Sequence, residues 1–387
     1  MSTKRRYQFL YLLLYASANG IAGFRNVYFA DIGLSESQMG LIGSVLVASG
    51  IVAQPIWGFL ADAFGKTKLV LIVGTVVSVL GGLIFPLGMV VESPFLLMVF
   101  AAIVYSVFRS PLIPLANAMV LSAGIDYGNV RAFGSVAFGI GILAMGPLVS
   151  EFGTVSIFVV HAIGMAVVVV SLRGMPSPPS ADLAPDLRRD TIQLLTNGRF
   201  LLLLVVAMLV GAATSTGNAF FSVYIRAIGQ SDTMTGVAWF LRTIAEAAVF
   251  VWAIKLGLGH RFELSIGAFI SGLSFLIYVV APSFPFVFLA QIPRGVGFAF
   301  FTLAVVSLAY EYTPEHLNAS SQTVLAAIGM GTGRVLGQVI GGRIADVFGV
   351  TELFLYLAAA SLLGAAFSLA LFVEFPSRPA VVSRWRS

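Results

Sequence analysis

The sequence predicts an all-α integral membrane protein with about twelve transmembrane helices, laid out as two parallel six-helix pseudo-repeats around a central cavity. Three observations predict it. The 387 residues are 58% hydrophobic and only 10% charged, with a mean hydropathy of +0.97, well above that of a soluble domain. Apolar runs recur along nearly the whole chain, each reaching the ~20 residues that cross a hydrocarbon core as a helix. The third observation is an internal repeat at a fixed offset of 196 residues.

In order, the spans read at roughly 7–30, 38–62, 68–91, 94–123, 127–150, 154–174, 199–227, 234–256, 261–281, 284–310, 318–346 and 350–374. They do not alternate apolar with polar residues, as barrel strands would. The start, MSTKRRYQFLYLLLYASANG, has the basic head and apolar core of a signal peptide. Its apolar run continues past the small residues at Ala16 to Ala18, however, so it reads as the first span. The one long polar break, RGMPSPPSADLAPDLRRDTIQLLTNGR at 173–199, is rich in Pro, Ser and charge and separates six spans from six. The expected organisation is an N-terminal half at 1–174, a cytoplasmic linker at 175–198, a C-terminal half at 199–376 and a cytoplasmic tail at 377–387.

The repeat aligns YFADIGLSESQMG from Tyr28 with YIRAIGQSDTMTG from Tyr224, and carries Gly33 to Gly229 and Gly40 to Gly236. At the far end of each half it carries Gly141, Gly146, Phe152 and Gly153 to Gly337, Gly342, Phe348 and Gly349. The glycines of spans 5 and 11 suit close approach of helix backbones, either as ordinary membrane packing or as sliding contacts between the halves.

Charge orients the chain. With the N-terminus in the cytoplasm, fourteen of the 22 Lys and Arg residues fall in inside segments and two, Arg226 and Arg343, outside. The positive-inside rule therefore places both termini in the cytoplasm of a multi-pass cell-membrane protein. The net charge of +5 follows from that bias and is no nucleic-acid footprint. The sequence has no cysteine, so thiolate metal sites are excluded. It contains neither a GxxxxGK[ST] phosphate loop nor an HExxH helix, so ATP hydrolysis and metalloenzyme chemistry are unsupported. No cofactor, metal or catalytic residue is expected. The expected partners are a small-molecule substrate, protons and the lipid bilayer, with the chain acting as a monomer.

GFLADAFGKTK at 58–68 resembles the signature loop between spans 2 and 3 of the major facilitator superfamily, with Gly58, Asp62, Gly65, Lys66 and Lys68 in its places and Ala63 where an arginine is usual. RSPLIPLANAMVLSAGIDYGNVRAFGSVAFGIG is similar to the phenylpropionate permease branch, near the lactose permease and nucleoside:proton symporters. IAEAAVF and GGRIADVFG agree with that branch, whereas Asn117 and Arg294 stand where it often has an acidic residue and a histidine. The resemblance implies alternating access and a cavity lined by spans 1, 4, 8, 10 and 11.

Six cations, Arg25, Arg109, Arg131, Arg242, Arg294 and Arg334, fall within spans or at their mouths. A charge there is costly unless it faces a wet cavity or a partner. Arg25, Arg109, Asn117, Arg294 and Arg334 are therefore the substrate-binding candidates, although Arg25 and Arg294 could simply reach the outer interface. Glu246, the one acidic residue deep in a span, lies one helical turn from Arg242, and the two are the proton-coupling candidates. A static ion pair is the alternative. Asp62 and Arg131, with Gly65, Lys66 and Lys68, are the gating candidates. His161 reads as a packing contact, and Asn19, Gln54, Tyr105, Asn218 and Gln338 are polar cavity candidates of weaker signal. The leading expectation is proton-coupled symport of a carboxylated or aromatic acid. A sugar or nucleoside symporter, or a proton-driven exporter, is the alternative, and a membrane-embedded enzyme or sensor would need a catalytic constellation or output domain that is not visible.

Overall fold

In a computed structural model of the chain, residues 2–64, 66–125, 127–173, 175, 194–314 and 317–373 are described. Each of the twelve expected spans is helical. Span 1 is Thr3–Ala16 followed by Asn19–Asp31, span 2 is Glu36–Phe64, and span 3 is Thr67–Ile84 with a 3₁₀ turn at Phe85–Met89. Span 4 is Phe95–Arg109 and Leu112–Ser122, span 5 Tyr127–Phe152 and span 6 Ser156–Leu172. In the second half, span 7 is Gly198–Ala227, span 8 Asp232–Leu256 and span 9 His260–Val280. Span 10 is Phe284–Leu289 and Gln291–Glu311, span 11 runs from Asn318 to Phe348 through a π-helical stretch at Leu325–Thr332, and span 12 is Val350–Leu369. Among the described residues, nine helical segments have the length and apolarity to cross a membrane.

Proline chemistry accounts for two of the breaks. Pro111 in span 4 and Pro293 in span 10 bring no N–H, so the carbonyls one turn earlier lose their helical donor. The break in span 1 has another support. There the Ala18 N–H bonds Tyr15 O at 3.3 Å, and the Leu14 carbonyl one residue earlier is taken up from outside the helix.

The repeat is visible in backbone geometry. Gly33 and Gly229 end spans 1 and 7 with φ of +79° and +78°, a left-handed conformation that glycine adopts without strain. Gly153 and Gly349, related by the same offset, also have positive φ, +77° and +107°.

The two halves meet on the face opposite the termini, here the far face, through two crossings that the repeat exchanges. Where spans 2 and 11 cross, a Cβ on Gly40 would stand 2.8 Å from Gly342 Cα. Where spans 8 and 5 cross, one on Gly236 would stand 3.3 Å from Gly146 Cα. Adding 196 to Gly40 and subtracting it from Gly342 gives the second pair from the first. Polar contacts follow suit: Ser37 Oγ donates to Asp346 Oδ2 at 2.5 Å, and their repeat counterparts Thr233 and Ser150 pair through hydroxyls 3.0 Å apart. Arg226 then locks the face, donating to Asp31 of the other half at 2.6 Å and to Asp232 through Nε at 3.0 Å and Nη2 at 2.7 Å. Thr154 Oγ1 holds the second oxygen of Asp31 at 2.8 Å. Along the sides of the helices large apolar residues such as Val52, Phe59, Val136 and Val251 are exposed, as lipid-facing side chains should be.

The crossing geometry makes a prediction. In a Ser37→Cys, Asp346→Cys variant, oxidation should join spans 2 and 11, the chain having no native cysteine to interfere. Adding Gly40→Val places a side chain against Gly342 backbone, an overpacking cost of about 1–3 kcal/mol, and crosslinking should fall by roughly tenfold. Undiminished crosslinking would show that the far face does not close on these glycines.

Candidate functional site

Beneath the far-face seal lies a cavity of about 550 Å³ between the halves. Its charged lining comes from Arg25 on span 1, Arg242 and Glu246 on span 8, and Arg334 on span 11, with Asn218 of span 7 between them. Its apolar wall is aromatic: Tyr15, Phe138, Trp239, Phe298 and Phe301. A cavity of this size and mixed character suits a small organic solute.

Asn218 is the centre of the polar wall. Its Oδ1 accepts from Arg242 Nη1 at 2.5 Å and from Arg294 Nη2 at 2.7 Å, so two guanidiniums converge on one neutral oxygen. Each guanidinium is held against aromatic faces. Arg242 lies 4.8 Å from the Trp239 ring centroid and 5.1 Å from Phe298, and Arg294 lies 4.3 Å from Phe275 and 5.8 Å from Tyr278. Tyr278 is itself fixed, its carbonyl accepting from Tyr224 Oη at 2.7 Å and its hydroxyl from Gln291. Arg242 and Arg294 are each only 3% exposed. Arg242 Nε and Arg294 Nη1 are buried with no hydrogen-bond partner, as is Arg25 Nε.

The charges do not balance. Arg25 and Arg334 line the same cavity, and Arg242 and Arg294 meet at one neutral oxygen. Glu246 attracts Arg242, but the Arg242 hydrogen bond goes to Asn218. Among the described residues, neither Arg25 nor Arg334 makes a hydrogen bond or ion pair. Arg242 and Arg294 are buried, Arg25 is half-buried and Arg334 is exposed to the cavity; like charges gathered there raise the free energy of the empty site, and a bound anion would lower it.

Two expected binding residues stand elsewhere. Arg109 does not line the cavity. Its Nη2 donates to Leu14 O at 3.0 Å, filling the bond left open by the break in span 1, and His161 Nδ1 pairs with Ser17 O three residues on at 2.9 Å. Asn117 is also off the cavity, accepting from the hydroxyl of buried Tyr11. Both side chains serve the break and packing of span 1. Arg294 is one layer behind the lining and acts through Asn218. His161 is buried and pairs edge-on with Tyr105 at 5.4 Å, as a packing residue does. Gln338 donates to Ser215 O at 3.2 Å, bracing span 11 on span 7.

Of the expected gate, Lys66 is exposed at the start of span 3, and Lys68 Nζ donates to the carbonyls of Arg173 at 3.0 Å and Met175 at 2.9 Å, tying span 3 to the end of span 6. Gly65 and the side chains of Asp62 and Arg131 lie outside the described residues. The residues that sequence reasoning undervalued are Asn218, which is one amide beside the hydroxyls of Thr214, Ser215 and Thr216, and the aromatic wall, whose members look like any other membrane-helix residues.

The contrast between two arginines is testable without a substrate. Arg109→Gln leaves the Leu14 carbonyl with only the longer bond from Ser17 Oγ at 3.4 Å, at a cost of about 1–3 kcal/mol, and should lower the unfolding temperature of the purified protein. Arg334→Gln removes a charge that has no partner and should leave that temperature unchanged or raise it. Calorimetry or dye-based melting in detergent decides the matter, and the reverse order would contradict these placements.

Comparison with known proteins agrees with the architecture. The profile of the MFS_1 like family matches residues 4–356. A Bacillus subtilis (strain 168) protein named "Uncharacterized transporter YwbF" is 27% identical, with 96% of this chain and 94% of that one covered. The maltose permease of Geobacillus stearothermophilus is 24% identical over 93% of this chain and 92% of its own length. The probable 3-phenylpropionic acid transporter of Escherichia coli (strain K12) is 28% identical over 60% and 62%. Among solved structures, the nucleoside transporter NupG superposes with a TM-score of 0.85 over 97% of this chain and 100% of its own, at 17% identity, a likeness of fold. With the repeat, the cavity between the halves and the family match over nearly its whole length, the chain belongs to the MFS_1 like family and is a major facilitator transporter, not an enzyme.

Proposed function

We propose that the protein carries an anionic organic solute, a carboxylated or aromatic acid, across the cell membrane by proton-coupled symport, with both termini in the cytoplasm and the monomer as the working unit. The observation that supports this reading is the cluster at Asn218: Arg242 and Arg294 share a neutral oxygen where a carboxylate would balance them, while Arg25 and Arg334 face the cavity without hydrogen-bond partners. A carboxylate entering this space gains charge-assisted hydrogen bonds from guanidiniums already held in place by aromatic rings. The aromatic wall opposite receives the apolar body of the same solute. The similarity to a probable 3-phenylpropionic acid transporter points the same way.

Glu246 supplies the coupling. As an anion it competes with the solute for the field of Arg242; once protonated it leaves that field to the solute. Proton and solute therefore favour each other's binding, by the same factor in both directions. A sugar or nucleoside is the second reading, favoured by the similarity to a maltose permease and by rings able to stack on Trp239 or Phe298.

Two measurements in proteoliposomes test the reading. Glu246→Gln mimics the protonated state, so exchange of labelled for unlabelled solute should persist while accumulation driven by a pH step falls to the equilibrium level. A Gln variant that still concentrates solute would remove Glu246 from the coupling. Arg334→Gln should weaken the binding of an acid by roughly tenfold or more and leave its amide unaffected, a charged hydrogen bond being worth about 1.5–3 kcal/mol. Equal loss for acid and amide would favour a neutral cargo.

A further inference from the structure

The four guanidiniums at the cavity fall into two pairs by the spans that carry them and the partners they share. Arg25 and Arg334 come from spans 1 and 11 and line the cavity, their side chains without a hydrogen bond among the described residues. Arg242 and Arg294 come from spans 8 and 10 and meet at Asn218. Within each pair a buried donor goes unused, Nε on Arg25 and Nε on Arg242 with Nη1 on Arg294 behind the lining, so the protein itself does not neutralise these groups. Four cations face one carboxylate among the described residues, an excess of three charges. A single bound carboxylate would leave two of them uncompensated, and would leave one pair with its donors unfilled.

Resting on the anion reading above, we infer that the cargo carries two anionic groups at separate ends, one seated by Arg25 and Arg334 and the other by Arg242 beside Asn218, with Arg294 behind. The body between those ends lies along the aromatic wall formed by Tyr15, Phe138, Trp239 and Phe298. Asn218 is the specificity-determining residue in this arrangement. An aspartate there would accept the same two hydrogen bonds but would itself neutralise the seat, making the site one for a monoanion. The amide keeps both arginines in place without using up their charge.

Equilibrium binding to the purified protein in lipid nanodiscs, at pH 7 and fixed ionic strength, tests this with terephthalate and adipate, each beside its monoamide and its diamide, and with phenyl phosphate, which has two charges at one end. At least one of the diacids should bind tenfold or more tighter than its monoamide, a difference of about 1.4 kcal/mol, and the monoamide tighter than the diamide. That ratio of diacid to monoamide affinity should shrink in Asn218→Asp and, independently, in Arg25→Gln, with melting curves confirming that each variant is folded. Equal binding of diacid and monoamide, both tighter than the diamide, would overturn the second seat and leave the anion reading standing. Equal binding of all three would overturn both. Phenyl phosphate binding as tightly as the better diacid would show that two charges at one end suffice, and the two-ended cargo would be wrong. A ratio unchanged in both variants would remove Asn218 and Arg25 from the seats.

Discussion

Everything in the centre of this protein is arranged around the cost of unbalanced positive charge at low dielectric. Arg242 and Arg294 meet at a single amide oxygen, and Arg25 and Arg334 line the same cavity without an ion pair among the described residues. A structural ion pair would place the acid at the point of convergence. Here the one described carboxylate on the cavity, Glu246, is displaced along span 8 and Asn218 occupies the convergence. The site is therefore organised but uncompensated. The rings under Arg242 and Arg294 keep it organised, because a guanidinium stacked on a fixed aromatic face loses little freedom when an anion arrives.

The second constraint is mechanical. A transporter must close one face at a time, and a closed face needs backbones near enough to seal yet free to part. Gly40 against Gly342 and Gly236 against Gly146 supply the close approach, and the 196-residue repeat explains why there are two such crossings and why their polar companions, Ser37 with Asp346 and Thr233 with Ser150, occupy corresponding positions. Arg226 adds a charged clasp between the halves at the rim, where side chains about one-third exposed let water share the charge and keep the clasp weak enough to open. The contrast with the cavity is one of partners: Arg226 pairs with two aspartates at the rim, whereas Arg25 and Arg334 make no ion pair among the described residues.

Much of this was legible in the sequence because membranes impose strong rules. Span number and the repeat follow from hydropathy and from glycine spacing, and Gly33 and Gly229 carry the same positive φ that their equivalent positions required. That Arg25, Arg242 and Arg334 face a cavity follows from the cost of hiding them. Depth alone could not separate Arg109 from Arg334, because a helix break generates a polar partner as good as a cavity. The freed Leu14 carbonyl that holds Arg109 exists only once span 1 is interrupted, and no proline announces that interruption. Asn218 was hard to weight for a similar reason. Its importance lies in two arginines from spans 8 and 10 reaching the same atom, a coincidence in space with no spacing in the chain to reveal it.

The account's central claim is that the convergent guanidiniums are an anion seat. Its most direct test is an anomalous-scattering map of the protein bound to a brominated aromatic acid. The bromine fixes the position of the body, and the refined carboxylate should then lie within about 2.7–3.1 Å of a guanidinium nitrogen of Arg25, Arg334 or Arg242. The ring should rest on the wall formed by Phe138, Trp239 and Phe298. A ligand whose carboxylate points away from all of these arginines, toward the mouth or bulk water, would contradict the claim.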